Sequence, residues 1–349
     1  MTVVGIDLGG TKVAAASLRD RELGPAATEH THRSGQARLL DQLAALVERT
    51  KCGKLEAVGI GVPSVVEFET GRVISSVNVP LVDVPLRQVL GERLGVPVFV
   101  DNDATVAALA EAHDEQLRMV AKNLVMITVG TGIGGGLVLG GRIYRGATGG
   151  AGELGHTLVA ADLNVRFPAA EGFPQPGSLE RVAAGSALDR SAAQVAASQP
   201  CSALGRRRAS GRSVLCADIV RAARGGDPAA IGALETWAEQ VGIGVANAIN
   251  TFDPDEVVLG GGGSRAEELL LEPARRVARS YVVPGLGRNT RIRLARHGAR
   301  AGVLGAGLLA LHELQPSVSV VSKTAERTSS THPAVGQPVS DHASATMRD

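Results

Sequence analysis

The chain is poor in aromatic residues: Phe, Tyr and Trp make up 2% of its 349 residues, against 44% apolar residues in all. Stacking platforms for single-stranded nucleic acid are therefore missing, and the core must be built from Val, Leu, Ile and Ala. An excess of charge is missing too. The net charge is +1, so no broad basic field points to nucleic acid or to a membrane surface. No apolar run approaches the roughly 20 residues of a membrane span. The amino terminus enters a β-branched run at once, without the basic and apolar regions of a secretory signal. Cysteine is scarce. Cys52, Cys201 and Cys216 form no close pair, which argues against a disulfide framework and suits a reducing compartment. These absences predict a cytoplasmic protein with no nucleic acid partner and no membrane.

Glycine is what the chain has in quantity. Two glycine turns recur in matching settings. Val4-Gly-Ile-Asp-Leu-Gly-Gly-Thr-Lys12 follows the apolar run Val3–Leu8 and leads into Val13–Leu18. Val129-Gly-Thr-Gly-Ile-Gly-Gly-Gly136 follows Leu124–Val129 and leads into Leu137–Leu139. Both read as strand, turn, strand. Glycine turns leave backbone N–H groups unobstructed, and a concave row of them binds anions. Two such turns in two halves of one chain predict a polyphosphate gripped between lobes.

Periodicity supplies the rest of the outline. It predicts helices at Ala37–Arg49, Asp83–Leu94, Asp103–Met119 and Ile231–Thr251, and strands at Ala57–Val62, Pro97–Val100 and Val257–Leu259. Gly260–Gly263 opens a further helix at Arg265–Ser280, and Gly302–Leu314 forms a last one. The Ala/Ser/Gly-rich stretch 192–213, with Arg206, Arg207 and Arg208, reads as a surface loop with a solvated charge run. The Ser/Thr/Pro/His-rich tail 316–349 reads as disordered.

Two familiar nucleotide motifs fail on context. Gly130–Gly135 spells GxGxxG, but a strand follows where a dinucleotide site needs a helix. Gly5–Lys12 nearly spells a P-loop, but Thr11 precedes Lys12 and no helix follows. The ordered set Asp7-Leu-Gly-Gly-Thr-Lys12, Asp101-Asn-Asp103, Gly130–Gly136, Glu153-Leu-Gly-His156 and Leu259-Gly-Gly-Gly-Gly263 resembles the ROK family of sugar kinases, repressors and related open reading frames. The resemblance covers about residues 2–314. It implies an α/β chain with the two-lobed actin-like ATPase (ribonuclease H-like) fold: duplicated β-sheet cores with flanking helices. The expected division is a small lobe over 1–120 joined by a C-terminal helix over 301–315, a large lobe over 121–300, and the tail. The amino-terminal helix-turn-helix domain of the family's repressors is not expected, since the phosphate motif starts at residue 4. A homodimer is an expectation from the family.

Phosphoryl transfer asks for positioning and charge neutralisation. On the donor side the resemblance implies that Gly9, Gly10, Thr11, Lys12, Gly130, Thr131, Gly132, Gly261 and Gly262 bind ATP. It also implies that Asp7 holds Mg²⁺, through water. By spacing alone Asp7 has a lesser reading as a turn-capping residue, and Lys12 reads equally as an exposed strand lysine. Asp103 is the candidate general base. Position alone also fits an N-cap, and a helix N-terminus stabilises the carboxylate and lowers its basicity. Asn102 can both donate to and accept from a polyol hydroxyl. Asp101, which varies in the family, receives no role. Asn78, Asn102, Asp103, Glu153, His156 and Glu180 form the implied sugar pocket.

The chain departs from the family on the acceptor side. The three cysteines that follow the Glu-x-Gly-His motif and hold a structural zinc are missing from 157–180, so no zinc is expected. Phe167, Phe173 and prolines 168, 174 and 176 are expected to stiffen that loop instead. Ser64 replaces the usual Gly, and no aromatic follows Asn78 closely. The expected activity is ATP-dependent phosphorylation of a hydroxyl, a primary one, on a hexose. A C7-cyclitol of the valienone or valiolone type, as in natural-product pathways, is weighed equally as the acceptor. An amino sugar stands third, and a non-catalytic sugar sensor is the rival from outside enzymology.

Overall fold

The computed structural model describes residues 1–76, 78–160 and 172–314. The tail and most of the cysteine-free loop, with Phe167 and Pro168, lie outside these residues. Both glycine motifs are hairpins. Strands β1 (Thr2–Leu8) and β2 (Lys12–Arg19) pair antiparallel, with Ile6 opposite Ala15. Short strands β3 (Glu22–Leu23) and β4 (Ala27–His30) extend this sheet from β2. On its other side β1 runs parallel to β5 (Ala57–Val62). The small three-stranded sheet of β6 (Ser64–Glu67), β7 (Arg72–Ser76) and β8 (Val84–Pro85) follows in the chain. Strand β9 (Val98–Asn102) then completes the main sheet beside β5.

The second sheet repeats this plan. Strands β10 (Leu124–Val129) and β11 (Ile133–Leu139) form the second hairpin, with β12 (Arg142–Ile143) beyond β11. Strands β13 (Glu256–Gly260) and β14 (Arg291–Leu294) join β10 in parallel. Each sheet is thus an antiparallel hairpin followed by two parallel neighbours, the duplication anticipated from the paired glycine turns.

Helices cover the sheets because their apolar stripes match the sheets' buried faces. Helix α1 (Gln36–Thr50) buries Leu39, Leu43, Leu46 and Val47. With α2 (Leu86–Leu94) it closes a core around Ile6, Ile60 and Leu90. Helix α2 starts three residues later than its pattern predicted, because Val84 and Pro85 pair with β7. Helix α3 (Asp103–Glu111) ends eight residues before the predicted Met119. Asp114 halts it by taking the N–H groups of Gln116 and Arg118, and the chain folds back to bridge His113 with Met119.

In the second half the stretch expected as a loop is helical. After α4 (Leu179–Ala183) come α5 (Gly185–Ser198), α6 (Ala203–Ala209) and α7 (Cys216–Arg224). Alanine both permits helix and packs closely, and Ala192, Ala196 and Leu204 are buried. Ser202 caps α6 through the Gly205 N–H. The arginine run is only partly solvated. Arg207 donates to the Ser213 carbonyl and pairs with buried Asp218 at 3.1 Å. Helix α8 (Pro228–Phe252) begins three residues before its predicted start because Asp227 caps it ahead of Pro228. After β13 a 3-10 turn (Gly262–Ala266) precedes α9 (Glu268–Tyr281).

Helix α10 (Ala301–Leu314) lies with α3 between the two sheets, in a core shared by Leu18, Ala57, Leu109, Met126, Val258 and Leu304. Its backbone crosses β5 so closely that a Cβ on Gly59 would overlap the Ala306 carbonyl. Among the described residues no helix is long and apolar enough to cross a membrane.

Candidate active site

In sheets of parallel strands, ligands gather at the carboxyl ends. Here those ends carry Asp7 on β1, Asp101–Asp103 on β9, Gly130–Gly132 after β10 and Gly261–Gly262 after β13. The register across the first sheet is exact to the residue: Asp7 pairs with Gly61, and Gly61 with Asp101. Glycine at the middle rung lets α3 pack close to the strand ends, since a Cβ there would press on Val106.

The first turn is closed by the Gly9 N–H donating to the Lys12 carbonyl at 2.9 Å. Thr31 braces it, donating through Oγ1 to the Gly9 carbonyl at 2.7 Å and through its N–H to Thr11 at 2.9 Å. Thr11 and Lys12 are exposed, and the Lys12 ammonium has no partner among the described residues. The second turn is closed from Gly130 N–H to the Gly132 carbonyl at 2.8 Å. The α5 N-terminus supports it, Gly185 N–H donating to the Gly130 carbonyl at 2.8 Å. Gly261 backs against Val129, while Gly262 faces open space.

Asp7 and Asp103 interact electrostatically at the strand ends. The Asp7 carboxyl has no hydrogen-bond or ion-pair partner among the described residues. Burial, and secondly the negative charge of Asp103, push its pKa up to about 6. Two half-buried carboxylates that repel each other, beside a glycine turn, are a donor set that suits a hard divalent cation. Such an ion relieves the repulsion and balances phosphate charge, so Asp7 fits the Mg²⁺ role. No group of three His, Cys, Asp or Glu residues able to hold a metal occurs among the described residues.

Asp103 is not the N-cap of α3. Asn102 takes that position, its Oδ1 accepting from Ala104 and Thr105 N–H at 2.9 and 3.2 Å. Asp103, one residue on, accepts from Ala104 N–H at 2.8 Å. Its pKa is raised, contrary to the lowering expected at a helix N-terminus. Burial outweighs the backbone N–H groups, and Glu153 adds to the rise. The carboxylate is therefore more basic than its position alone suggests. Capping commits the Asn102 carbonyl, so its amide hydrogens are what it can offer a ligand; one makes a long bond to the Ser64 carbonyl at 3.4 Å. Ser64 Oγ is buried without a hydrogen-bond partner among the described residues.

The remaining acceptor candidates divide between the sheets. Asn78 abuts the first glycine turn, its Cβ standing over Gly10. Glu153 and His156 flank a 3-10 turn (Leu154–His156) packed on β11, with His156 Nε2 3.7 Å from a Glu153 oxygen. Phe173 meets the His156 ring edge-on at 5.3 Å. The described ends of the cysteine-free loop are drawn together by a bridge between Leu158 and Ser178 and by Leu179 N–H donating to Thr157. Glu180 accepts the Ile133 N–H at 2.7 Å and covers Gly132, so it is built into the second glycine turn. Sequence reasoning gave Asp101 no role and passed over Arg145. The two form a largely buried ion pair at 2.7 Å, and the other Asp101 oxygen accepts the Asn102 N–H. Arg145 lies in no motif, so only the fold could bring it there.

The ROK family model matches residues 3–313. A glucokinase of Halalkalibacterium halodurans is 33% identical over 318 residues, covering 88% of this chain and 94% of that enzyme. An N-acetyl-D-glucosamine kinase of Aliivibrio fischeri is 32% identical over 315 residues, covering 87% and 98%. The solved structure of a ROK family glucokinase from Streptomyces griseus, in complex with glucose and AMPPNP, superposes with a TM-score of 0.71. It is 31% identical, covering 89% of this chain and all of that one. The architecture is thus the actin-like ATPase fold of ROK glucokinases, and the chain belongs to the ROK family.

Proposed function

We infer that this protein is an ATP-dependent sugar kinase that transfers the γ-phosphoryl group to a hydroxyl, a primary one, of a hexose, with Asp103 as the general base. The observation that carries this reading is the setting of Asp103. It is a half-buried carboxylate of raised basicity at the strand ends, coupled electrostatically to Asp7 on the donor side and to Glu153 on the acceptor side. A base so placed takes the hydroxyl proton as the bond to phosphorus forms. The glycine turns around Gly9–Thr11 and Gly130–Gly132 present N–H groups and hydroxyls to the phosphates. Mg²⁺, held through Asp7, supplies charge neutralisation when bound. Asn78, Glu153 and His156, with the amide of Asn102, offer the donors and acceptors that replace water around a polyhydroxylated ring.

Glucose is the leading acceptor, because similar enzymes include a glucokinase and the fold neighbour was solved with glucose. N-acetylglucosamine is second, on the likeness to the Aliivibrio enzyme. Neither finding favours a C7-cyclitol, and that alternative is not carried forward. Approach of the 1–120 and 121–300 portions over both ligands would exclude water and align the hydroxyl with the γ-phosphate. The test is sugar-dependent ADP release across glucose, mannose, fructose, N-acetylglucosamine and N-acetylmannosamine. Turnover with glucose that disappears in Asp103→Asn supports the reading. ATP binding without ADP release for any sugar would replace it with a sensor.

A further inference from the structure

We propose that Arg145 is a positioning residue for the phosphoryl-transfer step, holding the Asp101–Asp103 segment and the Glu153 loop in one register; this rests on the kinase reading above. The Arg145 guanidinium joins segments that are far apart in the chain. Its Nε donates to Asp101 Oδ2 at 2.7 Å, and its Nη2 donates to Glu313 of α10 at 3.1 Å. Its Cζ lies 3.3 Å from the centroid of the Phe68 ring, which follows β6. The Phe68 and Glu69 carbonyls are in turn fixed by Arg87, at 2.6 and 2.7 Å.

Two bonds connect this cluster to the chemistry. The other oxygen of Asp101 accepts the N–H of Asn102 at 2.9 Å, which orients the peptide leading into the cap and the base. The Arg145 carbonyl accepts the Ala151 N–H at 3.0 Å, closing the loop that ends in Glu153. One residue therefore holds the base segment by its side chain and the acceptor loop by its backbone. Asp101 is only 4% exposed in its side chain and Arg145 20%. A buried ion pair contributes little net stability over an apolar pair of the same shape. What the pair supplies here is geometry. The planar fork meets Asp101 and Glu313 at once while stacking on Phe68, which a lysine cannot do.

The experiment compares Arg145→Ala, Arg145→Met, Arg145→Lys and Asp101→Asn with the wild type by steady-state kinetics and thermal melting. Methionine restores the apolar volume over Phe68 without the fork. A misplacement of this kind lowers kcat by about 10–100-fold, and it is expected in Arg145→Met and Asp101→Asn with KM for ATP within about twofold. Arg145→Lys falls between. Millimolar guanidinium, below denaturing levels, is expected to restore part of the kcat of Arg145→Ala. Wild-type kcat in Arg145→Met overturns the role and leaves only packing. A kcat loss in every variant that tracks the melting temperature and is not relieved by guanidinium also overturns it. Either result beside an active wild type and an inactive Asp103→Asn leaves the kinase reading intact. A wild type that releases no ADP with any sugar overturns the kinase reading and this role together.

Discussion

The carboxylate of Asp7 fills the space in which a Cβ on Gly302 would stand, at the first turn of α10. This contact sets a sign that is unusual for a helix. Ala is favoured over Gly inside a helix by about 1 kcal/mol, so Gly302→Ala should stabilise α10 by propensity alone. The added methyl would instead displace Asp7. The expected outcome is a fall of about 10-fold or more in kcat/KM for Mg-ATP, with no gain in melting temperature. Unchanged ATP kinetics in this variant would show that Asp7 is not needed where it stands.

The raised pKa of Asp7 makes a stability prediction for the ligand-free protein. Burial and Asp103 bring it from 3.8 to about 6, so the folded chain holds this proton more tightly than the unfolded chain does. Ionising Asp7 therefore costs stability. Its penalty is absent below the unfolded pKa and develops as pH rises to about 6. Asp7→Asn removes the penalty, so it should melt higher than the wild type at pH 8, by up to ~3 kcal/mol, while losing turnover. Below pH 4 the two should converge. Melting curves across pH check both ends, and Mg²⁺ should narrow the gap at pH 8.

Glu180 was expected at the sugar, yet it holds the Ile133 N–H and covers Gly132. Glu180→Ala should therefore raise KM for ATP as well as KM for the sugar, by several-fold each. Gly132→Ala drives the carboxylate off from the other side and should give the same pattern. An effect confined to the sugar KM would assign Glu180 to the acceptor alone.

Gly59 lies under the Ala306 carbonyl, where α10 crosses β5. No side chain can rotate away from this contact, because the obstacle is backbone. Gly59→Ala should destabilise by about 3 kcal/mol, read as a lower midpoint in urea. A substitution that leaves the midpoint unchanged would mean that α10 shifts freely on the sheet.

Much of the donor side was legible because its signals are local. A glycine turn between two β-branched runs declares itself within ten residues, and both hairpins formed where Gly9–Thr11 and Gly130–Gly132 predicted them. Strand Ala57–Val62 matched to the residue for the same reason, as a short buried run with clear bounds. The misreadings came where a competing contact lay outside the window. Asp114 ended α3 early, the pairing of Val84 and Pro85 with β7 delayed α2, and tertiary burial of Ala192 and Ala196 made helix from a stretch that reads as loop. The shift of the N-cap by one residue mattered most, since it leaves Asp103 as a half-buried carboxylate beside its cap.

From its own order of motifs, the sequence determined the duplicated hairpins and the family, because each rests on neighbours in the chain. Only the tertiary structure decided which way the carboxylates of Asp7 and Asp103 titrate, since burial and the approach of Asp7, Asp103 and Glu153 are properties of packing. It alone carried Glu180 to the second glycine turn, and it alone paired Arg145 with Asp101. Those partners stand 47 and 44 residues apart in the chain, and contacts between such distant residues leave no periodic trace in a single sequence.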